Sequence, residues 1–232
     1  MYKKVIIPLF LSCIILNLFY HLNANIQAKS KYMWAKTAVN VRKKPTVKSK
    51  RLGELQATGK VIISKRAKKN WLQVKYKGKT GFVMAKYLSN KKIKYITKGC
   101  PAGKIKSYMD YRCITDKTSK QYKLQKKAHT DKKTGIRMIK GRYCIAVGSY
   151  FTKKIGKKID LVMQNGQVVE CILADQKDDK DTINHHRQHA TDGSVAEFVV
   201  DTNRLSRKVR RMGDVSYTRP FRGKITRMRI YK

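Results

Sequence analysis

Three carboxylates beside apolar, strand-like runs could do acid–base chemistry in this chain. Asp175 ends the run ECILAD, while Glu197 and Asp201 bracket EFVVD. A carboxyl group next to apolar residues is partly desolvated, which raises its pKa. Glycoside cleavage needs a protonated carboxyl for the leaving oxygen, and a second carboxylate where water or the enzyme attacks. Asp175 with Glu197 or Asp201 is therefore a candidate catalytic pair. The other interpretation is that these acids close strand ends and pair with Lys and Arg.

A polar insert after Asp175 carries a competing set of side chains. Its acids, Asp178, Asp179 and Asp181, are expected to be solvated and replaceable, and three histidines follow in TINHHRQHATDG. Imidazoles at i and i+4 of a helix suit zinc, but this segment has no helical period. We therefore predict a solvated loop, no metal site and no cofactor.

The charge of the chain points to a polyanionic partner. Lys and Arg number 55 against 14 Asp and Glu, a formal net charge of +41. Residues 29–107 hold 24 basic residues and one acid, whereas residues 108–232 hold 29 and 13. Such a charge gives strong, salt-sensitive attraction to nucleic acid, anionic lipid or the anionic polymers of a bacterial cell wall.

The first 28 residues have the layout of a secretory signal peptide. A basic start, Met1 to Lys4, precedes the apolar run VIIPLFLSCIILNLFY, and the polar stretch HLNANIQA ends in the small residue Ala28. We predict cleavage after Ala28, giving a secreted protein without a membrane span. The alternative is an uncleaved anchor, for which the run is short. Export favours the cell wall over nucleic acid as the partner.

An exported chain can form disulfides. Removal of the signal peptide leaves Cys100, Cys113, Cys144 and Cys171, which allow three pairings. Cys100 and Cys113 are close in sequence and are the favoured bridge, while the other two lie in apolar runs typical of buried thiols. The cysteines lack the spacing of a zinc site.

Residues 32–90 read as short strands separated by turns, which indicates a small barrel. The stretches AVNVRKKP, LGEL, GKVIIS, WLQVKY and KGKTGFV closely resemble the bacterial SH3 family. The resemblance implies a wall-targeting module over residues 30–92, with Asn40, Arg42, Trp71 and Tyr87 as ligand-binding residues. Packing within the barrel is the other interpretation of the two aromatic residues.

A second β region is expected after a basic linker at residues 93–107, where Gly99, Pro101 and Gly103 interrupt the lysines. Within residues 108–232, two alternating arms flank Asn165-Gly166, which predicts a hairpin with a two-residue turn. TNRLSRKVRRM is the one segment expected to be helical. The fold class predicted for the chain is mostly β, with an SH3-like small barrel followed by a six-stranded, double-psi-like β-barrel.

The double-psi prediction comes from a second resemblance, over residues 141–205. GRYCIAVGS, the Gly166 hairpin, ILAD and GSVAEFVVD are similar in order to the 3D-type barrel of stationary-phase survival proteins and type A lytic transglycosylases. The resemblance implies that Asp175 and Glu197, or less closely Asp201, lie near a cleft. Gly148 and Gln176-Lys177 depart from the motifs of that family.

These features together suggest an exported, wall-associated protein that binds peptidoglycan and anionic wall polymers through its SH3-like domain. The C-terminal barrel would cleave glycan as a lytic transglycosylase or hydrolase with Asp175 as the acid. Alternatively, both barrels only bind. A nucleic-acid binder is not expected, because the chain lacks the interleaved exposed aromatic residues of single-strand platforms.

Overall fold

The computed structural model describes residues 31–67, 70–103 and 105–232, so the signal peptide proposed at 1–28 lies outside the described residues. The chain divides into two compact units, with the boundary between Lys92 and Ile93. Both units consist mainly of β-strands, as the sequence predicts. None of the helices in the described ranges is long and apolar enough to cross a membrane.

The first unit is a seven-stranded sheet in which all neighbouring strands are antiparallel. The strand order is β3-β2-β6-β5-β4-β1-β7, which confirms the SH3-like β unit. The strands are β1 (Lys31–Ala35), β2 (Val39–Arg42), β3 (Arg51–Leu55), β4 (Lys60–Arg66), β5 (Trp71–Tyr76), β6 (Lys79–Met84) and β7 (Leu88–Ser89).

Residue alternation builds the core of this unit. Val39 and Val41 of β2 are buried, and the residues between and after them are partly exposed, because successive strand residues point to opposite faces. The β5–β6 hairpin turns at Lys77-Gly78, where both residues have positive φ, as a two-residue hairpin turn requires. Apolar side chains from the six other strands complete the core: Ala35, Leu55, Val61, Leu72, Val74, Val83 and Leu88.

The second unit contains a nine-stranded sheet, a two-stranded sheet and two short helices. Its strands are β8 (Tyr95–Gly99), β9 (Tyr108–Asp110), β10 (His129–Thr130), β11 (Arg137–Ile139), β12 (Arg142–Val147), β13 (Lys158–Met163), β14 (Val168–Gln176), β15 (Thr182–Ile183), β16 (Gln188–His189), β17 (Ala196–Val200) and β18 (Ile225–Tyr231). The helices are α1 (Lys120–Gln125) and α2 (Arg207–Met212).

Strand β12 lies at the centre of the large sheet. It pairs in parallel with β14 along one edge, and with β11 and then β17 along the other. Strand β13 joins β14 to β18, and β18 pairs with β8. The sequence predicted about six strands, and the sheet has nine because β8, β9 and β10 add to its margins. Among the described strand pairs, none joins the two ends of the sheet.

Local sequence signals correspond to two of the connecting elements. The β13–β14 hairpin turns where the sequence places Asn165-Gly166, but its connection has three residues, since Met163 N donates to Gln167 O. Gly166 supplies the positive φ in this turn. Helix α2 lies within the predicted helical segment and begins after Ser206, whose hydroxyl accepts a hydrogen bond from Val209 N.

The linker expected at residues 93–107 is not a free segment between the units. Tyr95–Gly99 forms β8, which pairs with β18 over five residues, and Lys106 is buried, with its Nζ donating to Ser216 Oγ and Gly223 O. The glycine and lysine content of this segment was interpreted as a linker, but the segment contains an edge strand of the sheet. An edge strand can be rich in charged residues, because charged side chains on an exposed edge oppose pairing with other chains.

The expected Cys100–Cys113 disulfide is absent, and both residues are free thiols. Cys100 follows β8 and packs against the core, whereas Cys113 is exposed in a short turn after β9. The two strands lie at opposite margins of the sheet, and a disulfide needs Cα atoms within about 7 Å. Cys144 and Cys171 are free and buried.

A buried ion pair links three strands of the second unit. Asp160 on β13 accepts hydrogen bonds from Arg142 Nη1 at 2.9 Å and Nη2 at 2.8 Å. Tyr231 on β18 donates its hydroxyl to the other Asp160 oxygen at 2.5 Å. Both charged side chains are almost fully buried, so each depends on the other for compensation of its desolvation.

We predict that Asp160→Asn destabilises the protein by about 3–5 kcal/mol, because it leaves the Arg142 guanidinium buried without its counter-ion. The double variant Arg142→Met/Asp160→Leu should recover most of this loss, since it removes both charges. Urea denaturation followed by circular dichroism measures both effects, with the exposed Asp181→Asn as control. An Asp160→Asn free energy of unfolding close to that of wild type would contradict the prediction.

Candidate functional site

A β-bulge determines where Asp175 lies in the sheet. In the parallel pair of β12 and β14, Ile145 is opposite Leu173 and Ala146 is opposite Asp175, so β14 holds one extra residue at this point. On the other edge of β12, Ala146 is opposite Glu197 of β17. Asp175 and Glu197 thus flank one residue of the central strand, with about 10 Å between their Cα atoms at ordinary strand spacing.

Asp175 occupies a half-buried position whose hydrogen bonds come from neutral groups. Its Oδ1 accepts from Gln176 N at 2.8 Å, and its side chain is hydrogen-bonded to Gln121 of helix α1. Burial raises the pKa of Asp175, and these two hydrogen bonds offset only part of that effect. No basic side chain in the described part of the chain forms an ion pair with it. A carboxyl in this setting can donate a proton.

Glu197 is engaged by a buried lysine. The Lys177 side chain is only 2 % exposed, and its Nζ lies 3.8 Å from Glu197 Oε2. The same Nζ donates to Ser194 Oγ at 3.1 Å, and Ser194 Oγ lies 2.7 Å from Ser107 Oγ. Burial lowers the pKa of Lys177, while the Glu197 and Asp192 carboxylates oppose the change. Glu197 therefore serves as the counter-ion of Lys177.

Asp201 lies apart from the other two candidate acids. It follows β17 four residues after Glu197, a distance of about 13 Å along a strand. Its carboxylate accepts from Asn203 N at 3.2 Å and lies 3.5 Å from Arg112 Nη2. Arg112 also forms a two-bond pair with Asp110, at 2.8 and 2.7 Å. Asp201 therefore belongs to a surface cluster that closes the end of β17.

The same surface cluster keeps Asp110 ionised. Burial raises the pKa of Asp110, but hydrogen bonds from Thr202 and Arg112 outweigh it and lower the pKa to about 2. A carboxylate with so low a pKa is a poor proton donor near neutral pH. The three candidate acids thus separate into a protonatable Asp175, a lysine-paired Glu197 and a strand-closing Asp201.

A cavity of about 450 Å³ opens at the end of β14, and we call it the β14 cavity; Asp175 adjoins lining residues but does not itself line it. Gln176 and Lys177, which follow Asp175 in the sequence, line the cavity. Gln121, which is hydrogen-bonded to Asp175, also lines it. The remaining lining residues are Ser149, Lys153, Ile155, Asp178 and Asp179. Asp179 was expected to be a solvated loop residue, yet it is half-buried and faces this cavity because it lies in a 3-10 turn directly after β14.

Two cavity residues, Gln121 and Lys177, were not identified from the sequence. Gln121 lies on α1, a helix that we did not predict, although Ser119 is a typical N-cap and its hydroxyl accepts from Tyr122 N at 3.0 Å. Lys177 is one lysine among many, and its burial results from the long-range pairing of β12 and β14. The N-cap serine could have indicated the helix, but no local sequence signal indicates that Lys177 is buried.

The histidines of the insert make pairwise contacts and do not converge. His186 Nδ1 lies 2.8 Å from Thr182 Oγ1 and 3.5 Å from Asp179 Oδ1, and His189 Nδ1 lies 3.7 Å from Asp192 Oδ1. Within the described residues, no three His, Cys, Asp or Glu side chains are grouped as metal ligands.

In the first unit, Asn40 and Arg42 lie at the base of a basic loop. This loop, residues 43–50, joins β2 to β3, and we call it the lysine loop. Arg42 Nη1 donates to Ser49 O at 2.8 Å, and Lys43 N donates to Lys50 O at 2.9 Å. These bonds hold the loop in one shape and leave its lysines exposed.

The two aromatic candidates differ in exposure. Trp71 is only 6 % exposed and is part of the core, so it is not the exposed binding aromatic that the resemblance implied. Tyr87 is half-buried, and Lys86 Nζ lies 4.9 Å from the centre of its ring. A separate cleft of about 320 Å³ contains none of the four predicted ligand residues; its lining is Met33, Ile63, Ser64, Lys65, Arg66, Leu72, Ala85 and Asn90.

Comparison with known proteins places one family within this chain. The family model of the bacterial SH3 domain matches residues 37–89. Residues 37–89 form a bacterial SH3 domain. The match lies inside the first unit and contains β2 to β7. No curated protein matches the chain.

We predict a pH-dependent stability difference between wild type and Asp175→Asn. Because the folded pKa of Asp175 is raised above its ordinary value, the folded state holds this proton more tightly, and wild type loses stability as pH rises through that range. Asp175→Asn should therefore gain stability relative to wild type between about pH 3.5 and pH 7. Urea denaturation at both pH values tests this.

Asp181→Asn is the matched control, because Asp181 is exposed in the loop that follows. This control should show no comparable gain over the same pH interval. An Asp175→Asn difference that is the same at both pH values would show that burial does not govern this carboxyl.

Proposed function

We propose that this chain is an exported cell-wall protein whose bacterial SH3 domain binds peptidoglycan and anionic wall polymers. The SH3 match over residues 37–89 carries the proposal, and the signal-like layout of residues 1–28 supports export. The alternative polyanion, nucleic acid, fits a secreted protein poorly.

The electrostatics of the SH3 unit suit a polyanionic surface. Residues 31–92 contain 19 Lys and Arg and one acid, Glu54. Arg51 Nη2 lies 2.8 Å from Glu54 Oε2, so that single carboxylate is already paired. The remaining positive charge is available to a wall polymer, and its attraction is screened by salt.

The second unit has one observation that favours glycan cleavage. Asp175 combines burial, a raised pKa and hydrogen bonds from neutral groups, which are the properties of a general acid. In a lytic transglycosylase, such an acid protonates the leaving glycosidic oxygen as its bond to the muramoyl C1 breaks. The resulting carboxylate then takes the proton of the muramoyl 6-hydroxyl as the hydroxyl oxygen bonds to C1. Glu197, the acid opposite Asp175 across β12, is paired with Lys177, which favours this one-acid reaction over a hydrolase that uses Asp175 with Glu197.

A protein in which both units only bind is the competing proposal. Digestion of purified sacculi with the chain lacking residues 1–28, followed by mass spectrometry, separates the possibilities. Anhydro-muropeptides would indicate a transglycosylase, new reducing ends a hydrolase, and unchanged sacculi a binding protein.

We predict that changing Lys43, Lys44, Lys48 and Lys50 to Gln weakens sacculus binding by tenfold or more, since each lysine at an anionic surface contributes about 1 kcal/mol. The control changes four exposed lysines of the second unit to Gln: Lys123, Lys127, Lys132 and Lys133. Co-sedimentation at several salt concentrations measures both.

Equal losses in the two quadruple variants would indicate non-specific charge attraction and contradict binding by the SH3 domain. Wild-type retention that stays unchanged in about 1 M NaCl, where the Debye length is about 3 Å, would show that charge is not the main source of affinity.

We predict that Asp175→Asn reduces any glycan cleavage by about 10²–10⁴-fold, the usual loss on removal of a general acid. Asp181→Asn should cleave like wild type, because Asp181 is exposed and does not line the β14 cavity. Muropeptide release is the measurement, with circular dichroism to check folding. A folded Asp175→Asn protein with wild-type activity would overturn the assignment.

A further inference from the structure

Two residues that line the β14 cavity carry buried acceptor oxygens without hydrogen-bond partners among the described residues. Within the described residues, neither Gln176 Oε1 nor Asp179 Oδ1 receives a hydrogen bond, and both residues line this cavity. Buried polar atoms are normally satisfied, because an unpaired acceptor destabilises the protein. Two such atoms in one cavity therefore indicate a ligand that brings donors.

The orientation of the Gln176 amide is determined by its other contact. Gln176 Nε2 donates to Val147 O at 2.7 Å, so a flipped amide would place two acceptors against each other. The main-chain N of the same residue donates to Asp175 Oδ1.

The neighbours of Asp179 do not supply the missing donor. Its Oδ2 lies 3.8 Å from Lys153 Nζ. His186 Nδ1 is 3.5 Å from Oδ1, but the same nitrogen lies only 2.8 Å from Thr182 Oγ1. Oδ1 therefore has His186 as a neighbour at 3.5 Å but receives no hydrogen bond from the described residues.

The lining of the β14 cavity favours an uncharged, donor-rich ligand. Two lysines and two aspartates lie around it with two glutamines and a serine, and Ile155 is the one apolar residue. Balanced charge attracts neither anions nor cations strongly, whereas hydroxyl and amide groups satisfy both kinds of side chain. The volume of about 450 Å³ lies within the range of small-molecule sites, about 300–1,000 Å³.

We propose that the β14 cavity is a saccharide-binding subsite in which Gln176 Oε1 and Asp179 Oδ1 accept hydrogen bonds from sugar hydroxyl or acetamido groups. This inference rests on the proposed wall-glycan function and names the residues that would hold a sugar in the cavity at the end of β14. It also separates two kinds of recognition, because a neutral sugar is bound here independently of the charges on the SH3 domain.

The test is calorimetric titration of the chain lacking residues 1–28 with a neutral N-acetylglucosamine tetramer. Wild type should bind, and its affinity should change little between about 0.1 M and about 1 M NaCl, since the ligand carries no charge. Asp179→Ala and Gln176→Met should each weaken binding about tenfold or more, as loss of a buried hydrogen bond predicts.

Two controls match these variants. Asp181→Ala changes a residue of the same loop, and Gln164→Met changes a residue of the exposed β13–β14 turn. Neither residue lines the cavity. Both should bind like wild type. Wild-type affinity in Asp179→Ala and Gln176→Met would overturn the proposal, as would binding of a free stem pentapeptide in place of the tetramer.

Failure of the subsite and failure of the proposed function give different results. Binding of the tetramer without any sacculus cleavage would end the catalytic proposal and support the subsite. Cleavage of sacculi without tetramer binding, and with an unchanged KM in Asp179→Ala, would end the subsite and support catalysis.

Discussion

The parallel pairing of β12 with β14 is the constraint on which the second unit depends. Parallel neighbours need a long connection between them, and here that connection contains β13, which then pairs with β14 itself and with β18. Because of the bulge opposite Ala146, Asp175 lies opposite Ala146 and Gln176 lies opposite Val147 at the end of β14. Lys177 follows directly after the strand. A shift of one residue in this register would exchange the faces of all three side chains.

In a chain of net charge +41, most acids that could do chemistry are neutralised by neighbours. Asp160 is bound by Arg142, Glu197 by Lys177, and Asp110 by Arg112. At Asp160, burial outweighs the ion pair and raises the pKa to about 6, whereas at Asp110 hydrogen bonds from Thr202 and Arg112 outweigh burial and lower the pKa to about 2. Asp175 differs because the groups hydrogen-bonded to it are neutral and it has no ion-pair partner among the described residues, so burial raises its pKa.

Features encoded over a few residues were predictable from the sequence, and features encoded by long-range pairing were not. The alternation in β2, the turn at Gly166 and the apolar run before Asp175 are local patterns, and all three appear in the structure. Residues 95–99 read as linker because they become a strand only by pairing with β18, some 130 residues later. The sequence did not show that Asp201 lies apart from Asp175 for the same reason: the order of strands in the chain does not give their order in the sheet.

Under the proposed function, burial would separate adhesion to the wall from recognition of a sugar. Exposed lysines interact through water, where attraction is weakened by salt and insensitive to the exact ligand geometry. In the β14 cavity, by contrast, the acceptor oxygens of Gln176 and Asp179 are removed from water, so a hydrogen bond formed there is strong and directional. If the proposal holds, the exposed charge would attach the protein to a polymer without selecting a position on it, and selection would depend on the few buried polar atoms of the β14 cavity. Substituting lysines and substituting these buried atoms should consequently affect different properties, the first affinity for the wall and the second the choice of sugar.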